Sequence, residues 1–475
     1  MANKENKENK KENAKIKDLK EKLLYEKKNT CKIMSPADIQ AADDFCEGYK
    51  SFLDIGKTER TACAEAVRIA KKAGFAEFKP GKKYKPGDRI YTVNRNKAVI
   101  LAVIGKESLE KGVNIIASHI DSPRIDLKQN PLFEDNGLVY FKTHYYGGIK
   151  KYQWTAVPLA LHGVVVKSDG KTVDVKIGED VKDPVFTVTD LLPHLAETQY
   201  KRPSRELIKG EELNILIGSR VFRDGEDSDS AKLAVMKILY DKYGITEEDF
   251  VSAELEAVPA FKACDIGFDR SVVGAYGQDD RVCAYTSLKA ILETENPGRT
   301  SVCVLADKEE IGSYGNTGLG SKYLEYFIAD LSESSEIPVR RCLSNSKCLS
   351  ADVCVAFDPT FPDVCEKNNS AFMNCGAVIT KYTGSRGKAG TNDASAEYAG
   401  EIRKIFDDNG VIWQSGELGK VDAGGGGTVA MFIAEMNVDT IDVGVPVLSM
   451  HAPMELTAKT DVYMAYKGFR AFFEN

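Results

Sequence analysis

Short apolar runs that break off at acidic residues or histidines are the strongest constraint on how this chain folds. The run "VNIIAS" (113–118) is apolar on both faces, as a central strand is, and stops at His119-Ile120-Asp121. "SVCVLA" (301–306) stops at four charged residues in a row, Asp307, Lys308, Glu309 and Glu310. Asp352 stands just before "VCVAF" (353–357), and His451 follows "VPVLSM" (445–450). A further acidic pair, Asp279-Asp280, opens the helical stretch "RVCAYTSLKAIL" (281–292), whose Val282, Tyr285, Leu288 and Ile291 mark a buried face. Strands alternating with helices imply a layered α/β fold with a mixed, mostly parallel sheet flanked by helices. In open sheets of this kind, ligands bind beyond the carboxyl ends of the strands.

Local signals place the other elements. Ser35 caps a helix whose first turn holds Pro36 and Asp38 and which Gly56 ends, and a second helix fits 58–72, closed by Gly74. Residues 97–105 read as a strand. From about 130 to 251 the pattern changes to short alternating runs such as "VPLALHGVVVK" and "TVDVKIG", which predict an antiparallel β-rich insert. Beyond it the α/β pattern resumes with strands "TSVCVLA", "DVCVAFD" and "TIDVGVPVLSM", the helix "NDASAEYAGEIRKIFDDNG" and a terminal helix from about 456. The chain thus divides into a charged N-terminal tail or helix (1–34), an α/β domain in two segments (35–129 and 252–475) and a β-rich insert (130–251).

Composition excludes several function classes. A net charge of −7 and a pI near 5.6 argue against nucleic acid as a partner. No stretch approaches the ~20 apolar residues of a membrane span. The N-terminus "MANKENKENKKENAK" lacks the apolar core of a secretory signal, which predicts a cytoplasmic protein. Eleven cysteines, an odd number with no C-x-x-C pair, point to free thiols rather than disulfides or a cysteine-built zinc site. Neither G-x-S-x-G nor H-E-x-x-H occurs. "AGGGGT" (423–428) lacks the ending of a P-loop and reads as a tight approach of backbone to substrate or sheet.

Taken singly, each polar residue has a plain structural reading. Asp279 or Asp280 is a helix cap, a lone histidine a hydrogen-bonded structural residue, and two adjacent glutamates are surface charge. The combination differs, because carboxylates converging on one sheet edge raise one another's pKa unless cations neutralise them. Two divalent ions do so, and a two-metal site needs one carboxylate that bridges both. Imidazole and carboxylate ligands suit zinc, with manganese or cobalt as substitutes. Asp121, two residues along from His119, faces the same side and holds the second ring nitrogen. Of Glu309 and Glu310, one binds metal and its neighbour moves the proton.

Five ordered motifs carry a resemblance that covers nearly all of the chain after about residue 35. They are "SHIDSPRIDLK" (118–128), "GQDDRVCAYTSL" (277–288), "DKEEIGS" (307–313), "SADVCVAFDPTFPD" (350–363) and "SMHAPMEL" (449–456). The sequence resembles the aspartyl aminopeptidases, a branch of the cocatalytic dizinc exopeptidases. The resemblance implies two zinc ions per subunit and hydrolysis of the N-terminal residue of peptides, acidic residues being preferred. It implies that His119 and Asp352 hold one zinc, Glu310 and His451 the other, and that Asp279 bridges them. Glu309 is then the general base and Asp121 orients His119. It further implies that the insert mediates dimerisation and that dimers assemble into tetrahedral dodecamers. His162, in "VPLALHG", matches a histidine that reaches a neighbouring subunit's active site. Lys381, in "VITKYTG", matches a lysine that favours acidic N-terminal side chains. Asp358 stands where family members carry histidine, near the expected specificity pocket, and its charge works against an acidic substrate. The segment "GSRGKAGTND" is also unusual in length and charge. Rival functions are a dizinc carboxypeptidase or amide deacylase, which share the chemistry, and an inactive shell-forming scaffold, which has no need of a general base.

Overall fold

Nine strands form the larger sheet in the computed structural model, which describes residues 15–222, 230–333 and 335–475. Its centre is four parallel strands, in the order Thr300–Ala306, Val113–His119, Lys347–Ser350 and Asp439–Gly444. Antiparallel neighbours flank them, Ala98–Val103 on one side and Ala377–Thr380 on the other. Every residue of Val113–His119 and Thr300–Ala306 is buried, because helices cover both faces. Alternate side chains separate into two cores. Ile116, Cys303 and Leu305 pack with Leu53, Val282 and Phe469 from the helices Pro36–Ile55, Gln278–Glu293 and Lys459–Glu474. Ile115, Ala117, Val302 and Val304 pack on the opposite face with Leu324 and Ile328 of the helix Tyr323–Glu333.

The caps follow the local signals. Ser35 Oγ accepts the Asp38 amide at 3.1 Å, and Gly56 ends that helix. Thr58 and Thr61 cap each other's backbone at the start of Glu59–Lys72.

Other elements differ from expectation. The strand predicted over "DVCVAFD" is not the central one. Lys347–Ser350 takes that place, and of the predicted run Cys354–Val355 pairs with Pro446–Val447 in a separate two-stranded sheet. A four-residue strand bounded by Lys347 and Ser350 carries little apolar signature, so periodicity favours its more apolar neighbour. Asp352 consequently follows the carboxyl end of a central strand instead of preceding one. The terminal helix starts at Lys459, after a short strand, Glu455–Ala458. Order also begins before Ser35. Residues 15–23 are helical, Tyr25 stacks on Trp413 with ring centroids 6.2 Å apart, and Thr30 bonds to the Asn374 carbonyl at 3.0 Å. Residues 1–14 of the charged tail lie outside the described residues.

A second sheet has seven antiparallel strands, in the order Thr172–Ile177, Leu159–Val166, Ala253–Pro259, Arg124–Asp135, Leu138–Tyr146, Ile215–Gly218 and Thr187–Val188. It extends past 130 and 251 on both sides, and the helix Ser230–Tyr243 packs on its core through Val235, Met236 and Leu239. All eleven cysteines are free. No helix among the described residues is long and apolar enough to cross a membrane.

At Gly444 the last central strand passes so close to its neighbour that an added Cβ would lie 1.7 Å from the Asp352 carbonyl oxygen. Gly444→Ala is expected to cost about 1–3 kcal/mol by forcing the two segments apart. A thermal unfolding curve that coincides with wild type would show that the approach is not constrained.

Candidate metal centre

Parallel strands place their carboxyl ends on one edge, and the sequence-predicted polar residues meet there. His119 is the last residue of its strand. Asp307 to Glu310 follow the next strand, and Asp352 follows Ser350 by two residues. Lys308 adopts a left-handed backbone (φ 67°), which turns the chain into a short 3-10 turn, Glu309–Ile311, so that both glutamates face the edge. Asp279, at the start of its helix but with non-helical backbone, turns one carboxylate oxygen to each imidazole. Its Oδ1 lies 3.2 Å from His119 Nε2 and its Oδ2 3.1 Å from His451 Nε2. Glu310 Oε2 is 3.5 Å from His451 Nε2, while Asp352 Oδ1 and Glu309 Oε2 each lie 3.9 Å from His119 Nε2.

Two overlapping donor sets result, His119 with Asp279 and Asp352, and Asp279 with Glu310 and His451. Ligand atoms in each lie within 4.8 Å of one another, as they do in His119 with Glu309 and Glu310. His119 Nε2 and Glu310 Oε1 are buried and make no hydrogen bond. Buried polar atoms without partners are costly unless something else satisfies them. Burial and Asp279 push the Glu310 carboxyl well above its ordinary range, and burial with Asp280 and Glu309 does the same to Asp352. Burial, opposed first by His119 and reinforced by Asp279 and Asp121, pushes Glu309 up to about 7. Cations would relieve this crowding, and imidazole with carboxylate is a donor set that zinc accepts. The residues present fit the metal.

Asp121 organises the cluster from behind. Its Oδ1 lies 3.2 Å from His119 Nδ1 and accepts the Glu309 amide at 3.2 Å. Its Oδ2 accepts the Glu310 amide at 3.2 Å and the Tyr146 hydroxyl at 2.8 Å. Tyr146 ends a strand of the second sheet, with the Arg124 guanidinium 3.8 Å from its ring centre. Two residues on, the Gly148 carbonyl accepts His451 Nδ1–H at 2.8 Å. Glu455 accepts the amides of Asp279 and His451 at 3.0 and 2.7 Å. Sequence reasoning missed Tyr146, Gly148 and Glu455 as contributors. Glu455 sits inside the motif "SMHAPMEL", but nothing in the spacing separates it from a surface acid.

Three further predicted residues do not join the cluster. His162 is 1% exposed and its Nε2 lies 2.9 Å from Glu179 Oε1, so within this chain it is the buried partner of a carboxylate. Asp358 caps a turn by accepting the Thr360 amide at 2.8 Å. Lys381 is exposed and pairs with Asp393 at 2.7 Å. Strand alternation explains Lys381: Thr380 lines the cavity beside the cluster, so the next residue faces away. That cavity measures about 520 Å³ and is also lined by Gly425, Gly426 and Gly427. The glycine run makes a close backbone approach to another loop, since a Cβ on Gly425 would meet the Gly384 carbonyl at 2.0 Å.

Tyr146→Phe keeps the ring against Arg124 but removes one of the hydrogen bonds to the buried Asp121 carboxylate. It is expected to lower unfolding stability by about 1.5–3 kcal/mol. Denaturant midpoints that match wild type would show that the hydroxyl contributes nothing.

Comparisons with known proteins identify the family. The family model described as aminopeptidase I zinc metalloprotease (M18) matches residues 52–473. Probable M18 family aminopeptidase 1 of Clostridium acetobutylicum is 50% identical over 461 residues, which cover 95% of this chain and 99% of that protein. The crystal structure of an M18 family aminopeptidase from Thermotoga maritima matches with a TM-score of 0.90 at 42% identity, covering 95% of this chain and 99% of that one. The structure of aminopeptidase I from Clostridium acetobutylicum gives 0.89 at 49%, covering 95% and 100%. The chain therefore belongs to the M18 family of aminopeptidases, which are zinc metalloproteases.

Proposed function

We propose that this aminopeptidase works with two zinc ions per subunit, His119 and Asp352 holding one, Glu310 and His451 the other, and Asp279 shared between them. Manganese or cobalt could substitute. The observation that carries this reading is the Asp279 carboxylate, whose two oxygens face the two imidazoles at 3.2 and 3.1 Å. When bound, zinc supplies Lewis-acid polarisation of the scissile carbonyl and makes water a stronger acid. Glu309 is the proton carrier. Its carboxylate lies beside the donor sets without completing either of the two that share Asp279, and its side chain keeps 18% exposure. It takes the proton of the attacking water and returns it to the leaving amine. Asp121 fixes the ring orientation of His119 and, through the amides of Glu309 and Glu310, the turn that presents both glutamates.

The substrate is a peptide with a free α-amino group. Neither Lys381 nor Asp358 lines the cavity, so Lys381 does not support an acidic preference and Asp358 does not oppose one. Leu191, Leu192, Leu195 and Tyr200 are exposed on the segment beside the second sheet. Such apolar exposure supports the insert as a dimer contact, and assembly of such dimers into a tetrahedral dodecamer is part of the same proposal. Eleven unpaired thiols support a reducing, cytoplasmic location.

Glu309→Gln is expected to retain zinc while kcat falls about 10²–10⁴-fold, as removal of a general base does. Near-normal turnover of an aminoacyl chromophore would reassign the base. His451→Ala should lower zinc content as measured by elemental analysis; unchanged zinc would remove it from the ligand set.

A further inference from the structure

We propose that Glu455 is a positioning residue that acts selectively on one of the two metal sites, so that its loss weakens the zinc held by Glu310 and His451 far more than the zinc held by His119 and Asp352. The inference rests on the two-zinc reading above. The two imidazoles reach the cluster by different routes. His119 is 1% exposed and ends a central strand, where it pairs with Ala306 of the neighbouring strand. Its amide faces the buried Asp280 carboxylate at 3.3 Å, and Asp121 holds its ring. His451 has no such frame. It stands on a loop, its side chain is 33% exposed, and its backbone is left-handed (φ 65°), as is that of Ser449 (φ 56°). Backbone of this kind is strained in a residue with a side chain and persists only where its surroundings hold it.

Glu455 supplies that hold. Its Oε1 accepts the His451 amide at 2.7 Å and its Oε2 the Asp279 amide at 3.0 Å, so one side chain spans the backbones of two ligands that lie far apart in the chain. The carboxylate is 1% exposed and makes no ion pair with lysine or arginine among the described residues, which leaves these two amides to offset the cost of burying it. Its own place is set by register. Glu455 pairs with Ala275 at the end of the strand Val272–Ala275, and its carbonyl accepts Gln278 Nε2 at 2.6 Å. The selectivity follows from what each ligand keeps when Glu455 is lost. Asp279 keeps the Ser122 hydroxyl, which donates to its carbonyl at 2.6 Å, and His119 keeps Asp121. His451 keeps only its ring contact to the Gly148 carbonyl, while its left-handed backbone loses the acceptor of its amide. Groups that orient metal ligands in this way change metal affinity about 10–100-fold when removed.

Glu455→Gln keeps the shape of the side chain but sets an NH2 group against one of the two amides. Zinc is titrated into the metal-free full-length protein in competition with a chromogenic chelator. Wild type is expected to take up two ions. Glu455→Gln should bind one of them as wild type does and the other about 10–100-fold more weakly. Double variants assign the weakened site. Adding Glu455→Gln to His451→Ala should leave the affinity of the remaining ion within about twofold, as expected of independent positions. Adding it to His119→Ala should weaken the remaining ion by the full factor. Peptidase activity of Glu455→Gln should also climb with added zinc over a range in which wild type is already saturated, a response that a merely unstable protein does not give. The proposal is overturned if both ions weaken alike, if neither does, or if the double variants show the loss at the site of His119. Should Glu455→Gln fail to fold, Glu455→Asp, which keeps the charge but is one methylene too short to span both amides, is titrated in the same way. Wild type that binds fewer than two ions overturns the two-zinc reading together with this inference, whereas two ions in wild type with an equal loss at both sites overturn this inference alone.

Discussion

The Asp121 carboxylate is the point on which the rest of the site depends. It is fully buried, and each of its oxygens has two neighbours drawn from different parts of the chain: the His119 ring, the amides of Glu309 and Glu310, and the Tyr146 hydroxyl. A buried carboxylate stays ionised when enough donors surround it, and burial here is outweighed by His119, Tyr146 and Arg124. One negative charge thereby fixes an imidazole, a turn with two glutamates and the end of a strand from the other sheet. Disturbing any of these donors disturbs the others through the same two oxygens.

The second sheet is physically continuous with this arrangement. Arg124 pairs with Glu59, Asp126 and Glu256 at 3.5, 2.8 and 3.3 Å, and its guanidinium lies over the Tyr146 ring. Tyr146 then reaches Asp121, and Gly148 reaches His451. Both imidazoles of the cluster are therefore oriented by atoms of the second sheet or of the loop that follows its strand Leu138–Tyr146. A segment whose alternating runs read only as a β-rich insert also helps to shape the site of the larger domain. The ion pairs around Arg124 gain little as isolated contacts, since burying charge is costly, but removing one partner would leave an uncompensated charge beside the site.

Much of the fold is legible because burial leaves a periodic trace. "VNIIAS" and "SVCVLA" are apolar on both faces, and the structure indeed covers both faces with helices. Ser35 and Thr58 announce helix starts because a side-chain oxygen there accepts an otherwise unpaired amide. The strand Lys347–Ser350 leaves no such trace, being short and polar at its ends, and "VCVAF" beside it has the stronger apolar pattern without the central place. The helix Ser230–Tyr243 is hidden in a segment whose alternating runs speak only for strands. Around the cavity, motif position favours Lys381 and Asp358, yet one residue of strand alternation turns Lys381 away while Thr380 lines the wall.

By itself the sequence determined the chemical inventory: which imidazoles and carboxylates stand at the ends of apolar runs, and that they number enough to need cations. Local order of this kind survives in one dimension because strand ends and caps are set by the few residues around them. Only the tertiary structure decided which oxygens face which ring, that Tyr146 of the second sheet and Gly148 just beyond its strand reach the cluster, and that Asp442 lines the cavity. Those facts depend on parallel register between strands far apart in the chain, such as His119 beside Ala306, and backbone hydrogen bonds that fix such register carry no signature in the side chains they bring together.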